Sequence, residues 1–258
     1  MRVSKTLAKL RAGRAVRICG LGHYIPAFMR HAAHLGFDCI WLDLEHRAME
    51  QRELQSLLVL SHLVDIDVMV RVPLVDGAQL YRVLEDGATG MMFPLVNTPE
   101  RAHQIVQAVK FPPTGSRGMD GAGLDGDYYL DAGETYAEDV NRETFVVVQI
   151  ETPQAVENAD AIAAVEGVDG LFIGPADLTL RIRHHEGDLD IDAATDRVAA
   201  AAERHGKAWG RPGDVPLTAD IHAKGARLLV QGSEFMGMIN ELQRGRDVFD
   251  DLLAAESS

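Results

Sequence analysis

The chain alternates short apolar or β-branched runs with longer stretches in which apolar residues recur at helical spacing. The short runs predict strands over 16–20, 39–44, 68–72, 90–94, 145–150, 170–173, 207–210 and 227–231. The stretches between them predict helices over 25–35, 50–63, 78–85, 99–110, 153–165, 193–204, 218–224 and 235–253. Such strand–helix alternation is the pattern of repeated βα units around a parallel sheet. Eight evenly spaced units, with no Gly-rich phosphate turn after the first strand, predict a closed (β/α)8 TIM-type barrel rather than a doubly wound open sheet.

Local chemistry supports several boundaries. Thr98 before Pro99 and Thr152 before Pro153 place an N-cap ahead of a proline at the first helical position, and Gly36, Gly206 and Gly225 suit helix ends. The longest irregular stretch, 111–141, is placed after the fourth strand.

Composition narrows the picture. With 258 residues and 47% apolar content, one large core is expected, and 1–258 reads as a single barrel domain. A net charge of −14 disfavours nucleic acid and anionic membranes as partners and leaves small molecules. Cys19 and Cys39 have no companion at metal-ligand spacing and read as buried thiols in a reducing cytoplasm. Residues 1–17 are basic but lack a signal peptide's apolar stretch, and no run reaches membrane-spanning length, so a soluble cytoplasmic protein is expected.

In a barrel of this kind, chemistry collects at the carboxyl ends of the strands. Asp43-Leu44-Glu45-His46 ends the second strand, Arg71 lies in the third, Gln149-Ile150-Glu151 ends the fifth, and Gly174-Pro175-Ala176-Asp177 follows the sixth; Glu85 precedes the fourth. Glu151 and Asp177 stand 26 residues apart, about one βα repeat, so they can converge from adjacent strands. Two hard oxygen ligands without His or Cys at ligand spacing favour Mg²⁺ or Mn²⁺ over zinc, with Co²⁺ as a substitute. The alternative is that Glu151 and Asp177 cap the turns that follow them. Arg71, inside an apolar strand, needs an anionic partner, either a ligand or a neighbouring acid. His46 is either a general base steadied by a carboxylate or a surface histidine. His184 and His185 stand where they could reach the site entrance.

The blocks Gly36-Phe37-Asp38 through His46, Val70-Arg71-Val72-Pro73, Phe111 through Gly118, Val148-Gln149-Ile150-Glu151-Thr152 and Val165 through Leu178 resemble the metal-dependent (class II) 4-hydroxy-2-oxoheptanedioate aldolases, relatives of the citrate lyase β-type barrels. The resemblance covers nearly the whole chain. It implies metal binding by Glu151 and Asp177, 2-oxo-acid contacts from Gln149 and the Ala176 backbone, enolate stabilisation by Arg71, and His46 as base. Glu85 matches the acid that tunes the histidine, and Asp43 also matches. A hexamer with exchanged C-terminal helices and sites near subunit contacts is further implied.

The expected reaction is reversible cleavage of a 4-hydroxy-2-oxo acid to pyruvate, or a similar 2-oxo acid, and an aldehyde. Oxaloacetate decarboxylation or thioester cleavage on the same scaffold is the second reading, and a metabolite-binding protein without turnover the third. Three departures bear on the aldehyde: Leu44 between the acid pair, an acidic 120–127 where dicarboxylate-cleaving relatives are basic, and Trp209-Gly210-Arg211-Pro212 near strand seven. They point to a neutral or hydroxylated acceptor.

Overall fold

A computed structural model describes residues 2–73 and 78–256. Helix α1 (Lys5–Arg11) leads into β1 (Val16–Leu21), α2 (Pro26–His34), β2 (Cys39–Asp43), α3 (Gln51–Val64), β3 (Asp67–Arg71), α4 (Ala78–Glu85), β4 (Gly90–Phe93) and α5 (Pro99–Val109). The second half runs α6 (Tyr136–Glu143), β5 (Phe145–Ile150), α7 (Pro153–Glu157), α8 (Ala159–Ala163), β6 (Gly170–Ile173), α9 (Pro175–Ile182), α10 (Ile191–Arg204), β7 (Ala208–Pro212), α11 (Val215–Ala223), β8 (Leu228–Ser233) and α12 (Glu234–Glu256). The eight strands pair in chain order, all parallel, and β8 closes on β1.

Alternation along each strand sorts the side chains into two cores. Ile18, Cys39, Met69, Met92, Phe145, Val147, Phe172 and Leu228 fill the barrel, while their neighbours in sequence pack outward against the helices. Trp41 and Phe172 meet edge-on at 5.5 Å between centroids. The thiols of Cys19 and Cys39 are free and buried, and burial pushes Cys19 up to about 12. Among the described residues no helix is long and apolar enough to cross a membrane.

All eight predicted strands form, each within two residues of its expected bounds. The helices differ more. Residues 5–11 form α1, whose Leu7 plugs the amino end of the barrel and whose Ser4 and Thr6 bind the Asp67 carboxylate. The helix expected over 153–165 breaks at Asn158, whose side chain donates to the Asn97 carbonyl at 2.8 Å. The 111–141 stretch lies between α5 and β5, after the helix predicted over 99–110, and so at the amino rim; it holds a 3-10 turn (Leu124–Gly126), and α6 starts within it.

Candidate active site

The carboxyl rim is built first on a pair of neighbouring strands. Asp43 and Arg71 are register partners on β2 and β3, both facing the barrel axis. Arg71 Nε and Nη2 donate to the two Asp43 oxygens at 3.0 and 2.7 Å, and Nη1 lies 3.1 Å from Glu45 Oε2. Its guanidinium also stands 4.8 Å above the Trp41 ring, so the cation expected to need a partner has two carboxylates and an aromatic face. Burial opposes ionisation of Asp43, but the Arg71 bonds and charge, with the Glu45 and His46 N–H groups, outweigh it and hold its carboxyl below the usual value.

Across the mouth, β5 turns Gln149 and Glu151 toward the same axis. Gln149 is buried, and its Oε1 has no hydrogen-bond partner among the described residues. Glu151, 3% exposed, accepts from the Leu95 N–H at 2.9 Å; Leu95 adopts a left-handed φ of 53°, a strained conformation for a branched side chain. The Glu151 carboxyl rests against Gly174, where a Cβ would stand 2.2 Å from Oε1. Burial raises the Glu151 pKa, the Leu95 N–H lowers it, Glu45 and Asp177 raise it, and Arg71 lowers it. These charges therefore share one electrostatic neighbourhood.

Asp177 sits in the first turn of α9, half-exposed, with Oδ1 bound to Arg181 Nη1 at 2.7 Å; Arg181 also donates to the Glu151 carbonyl at 3.2 Å. Ala176 occupies the same turn, and the Gly174 N-cap offers no side-chain acceptor to its N–H groups. Glu151 and Asp177 together give a hard, carboxylate-only donor set, and the Glu151 carboxyl has one hydrogen bond among the described residues, from the Leu95 N–H. That chemistry fits Mg²⁺ or Mn²⁺ carrying several waters.

His46 is exposed at the rim, its Nε2 3.5 Å from Glu45 Oε2. Glu45 thus bridges His46 and Arg71, a link that sequence spacing had not singled out. His184 and His185 lie in the turn beyond α9. Glu85 is not brought to this cluster: it ends α4 at the amino rim, 3.9 Å from Arg117, and burial together with Asp125 and Asp120 raises its pKa against the lowering by Arg117. The acidic 120–127 segment lies there too, with Asp125 bound to Arg117 at 2.8 Å, because it connects a helix to the start of β5. Neither lines the acceptor side of its own chain's site. Arg211 also points away from the barrel mouth, toward Thr195 of α10 at 3.0 Å, since strand alternation turns Gly210 inward instead.

A family model described as HpcH/HpaI aldolase/citrate lyase matches residues 21–211. The chain belongs to this family. It is 36% identical over 185 residues to a hydroxypyruvate/pyruvate aldolase of Deinococcus radiodurans, spanning 72% of this chain and 66% of that protein. It is 32% identical over 216 residues to a 5-keto-4-deoxy-D-glucarate aldolase of Shigella dysenteriae, spanning 80% of this chain and 78% of the relative. The crystal structure of an HpcH/HpaI aldolase from Desulfitobacterium hafniense superimposes with a TM-score of 0.86 at 30% identity, covering 94% of this chain and 95% of that one.

Proposed function

We propose that this chain is a divalent-metal-dependent aldolase that reversibly cleaves a 4-hydroxy-2-oxo acid to pyruvate, or a similar 2-oxo acid, and an aldehyde. The observation that carries it is the geometry of the carboxyl rim: Arg71 is held by Asp43 and Glu45 on one side of the mouth, and on the other the buried Glu151 carboxyl stands at the end of β5, where Arg181 joins the Glu151 carbonyl to Asp177. Glu151 and Asp177 would hold Mg²⁺ or Mn²⁺, with Co²⁺ as a substitute. When bound, the cation supplies Lewis-acid polarisation of the 2-oxo group.

The side chains divide the remaining work. The Gln149 side-chain amide, through its N–H donors, and the Ala176 N–H orient the 2-oxo acid. His46 takes the C4 hydroxyl proton as the C3–C4 bond breaks; the bond's electron pair passes to the pyruvate fragment and the aldehyde leaves. Arg71, fixed by Asp43 and Glu45, faces the negative charge that develops on the oxo oxygen. Protonation at C3 completes pyruvate. Glu85 can reach a catalytic cluster only in a neighbouring subunit, and a homo-oligomer of the hexameric kind, with α12 exchanged between barrels, accommodates this. Exposed Met236, Ile239, Leu242, Phe249 and Leu252 on α12 support that assembly.

Pyruvate release from a panel of 4-hydroxy-2-oxo acids, measured with Mg²⁺, Mn²⁺, Co²⁺ and chelator, tests the proposal. Metal-restored turnover is expected, and no turnover across the panel overturns it. Oxaloacetate decarboxylation is the secondary reading, because the same side chains would hold that 2-oxo acid; its rate is compared in the same assay, with coenzyme A thioesters added for lyase chemistry. Free buried thiols support a reducing cytoplasm, and closure of one eight-stranded barrel supports a single domain over 1–258.

A further inference from the structure

The His46 ring is exposed at the rim, 3.5 Å from Glu45 Oε2. A contact of that length fixes a ring weakly, so the setting of the imidazole depends on its backbone. That backbone is held from both sides. The His46 N–H donates to Asp43 Oδ1 at 3.3 Å, and the His46 carbonyl accepts from Arg47 Nη1 at 2.8 Å. Asp43 is itself fixed by its paired bonds from Arg71. Arg47 is exposed, and a long exposed side chain holds a carbonyl in place only where something restricts its own rotamers.

Phe235 supplies that restriction. The Arg47 guanidinium stands 4.9 Å from the centroid of the Phe235 ring. The Arg47 stem is also hemmed in by the segment after β1: a Cβ on Gly22 would come 3.0 Å from Arg47 Cγ and 3.2 Å from both Arg47 Nε and Glu234 Oε1. Glu234 accepts the Gly22 N–H at 2.6 Å through Oε1, while its Oε2 is buried with no hydrogen-bond partner among the described residues, so its charge is left to draw the neighbouring guanidinium. Phe235 is fixed in turn. β8 passes into α12 with no residue between them, which places Phe235, the second residue of α12, at the end of a strand rather than on a free loop. His23 packs against its ring at 4.6 Å between centroids. The turn from β2 to α3, which carries His46, is thereby tied to the β8 and β1 side of the mouth.

We propose that Arg47, stacked on Phe235, is a positioning residue for the general base: it sets the His46 imidazole toward the C4 hydroxyl of the 2-oxo acid. Arg47 acts through His46 and not on the substrate. This rests on the aldolase reading above.

The test is a double-mutant cycle on kcat for pyruvate release, with Mn²⁺ and a 4-hydroxy-2-oxo acid that the parent cleaves. A base displaced by about 1 Å costs about 100-fold in rate, and a turn that still samples the right place loses less, so Arg47→Ala is expected to lower kcat at least about fivefold. In the His46→Ala background the same substitution is expected to change kcat less than about twofold, because the group it positions is gone. A smaller fall in the parent, or a fall of about twofold or more in the His46→Ala background, overturns the proposal. Phe235→Leu removes the aromatic face and is expected to follow Arg47→Ala, while Phe235→Trp keeps the face and is expected to stay near the parent; equal losses in the two overturn it. If the Phe235 variants do not fold, the exposed Arg47 decides alone. If His46→Ala leaves no cleavage to measure, oxaloacetate decarboxylation replaces that background, since it removes no hydroxyl proton: Arg47→Ala should then lower cleavage at least about fivefold more than decarboxylation, and equal losses overturn the proposal. A parent that turns over while Arg47→Ala acts independently of His46 overturns the role of Arg47 alone; no metal-dependent cleavage by the parent overturns both readings.

Discussion

Replacing Gly174 by alanine adds one methyl group to the point where β6 meets α9, and its effect can be worked from contact distances. The backbone there has φ −92° and ψ 90°, which an L residue adopts, so the substitution carries no conformational strain of its own. The new Cβ would stand 2.2 Å from Glu151 Oε1, about 1.2 Å inside the 3.4 Å at which ordinary contact begins, and 2.8 and 2.9 Å from its Cγ and Cδ. The Glu151 carboxyl must move by about that amount, which breaks its 2.9 Å bond from the Leu95 N–H. Overpacking of this kind costs about 1–3 kcal/mol, so the variant should fold and melt a few degrees lower. A displacement of about 1 Å in a group that positions the reaction costs about 100-fold in rate. The expected outcome is a Mn²⁺ dissociation constant raised at least about tenfold by calorimetry, and kcat/KM for pyruvate release lowered about 100-fold. A folded Gly174→Ala protein that binds Mn²⁺ and turns over like the parent would refute the placement of Glu151 in the metal site.

Arg71→Lys removes the paired bonds to Asp43 and the contact to Glu45 and replaces a fork by a point charge; a fall in kcat of about 100-fold or more is expected in the pyruvate-release assay, with parent-like rates counting against enolate stabilisation by Arg71. His46→Ala should lower the cleavage rate by about 100-fold or more while Mn²⁺ affinity stays near the parent's; unchanged turnover would return His46 to a surface histidine. Asp43, held below its ordinary value of 3.8, contributes stability that is present above that value and lost as pH falls through the lowered one. The gap in melting temperature between parent and Asp43→Asn should therefore be widest near neutral pH and close on acidification below 3.8; a gap independent of pH would contradict the ion pair.

Most of the barrel was legible because its signals are local. Short apolar or β-branched runs mark each strand, and Thr-Pro pairs mark the starts of α5 and α7. The helix α1 escaped notice because its reason for forming is distant: Ser4 and Thr6 satisfy Asp67, and Leu7 closes a barrel assembled from eight remote segments. Within the site, the rule that active residues gather at carboxyl strand ends led to Asp43, Arg71, Gln149, Glu151 and Asp177. Glu85, the acidic 120–127 segment and Arg211 are placed only by closure of the barrel, since nearness to a strand in sequence does not say which rim, or which face, a residue occupies.

The order and type of the elements and the family to which the chain belongs follow from the sequence itself, since they depend on spacing and residue type along a few neighbouring residues. What closure of the sheet decided is which charges meet. It set Arg71 against Asp43 and Glu45, pressed Glu151 against Gly174 within the field of Asp177, sent Glu85 and the acidic segment to the opposite rim, and left one oxygen of Glu234 without a donor. Electrostatic and steric energies depend on distances across the fold, and those distances do not exist until residues far apart in the chain are brought together.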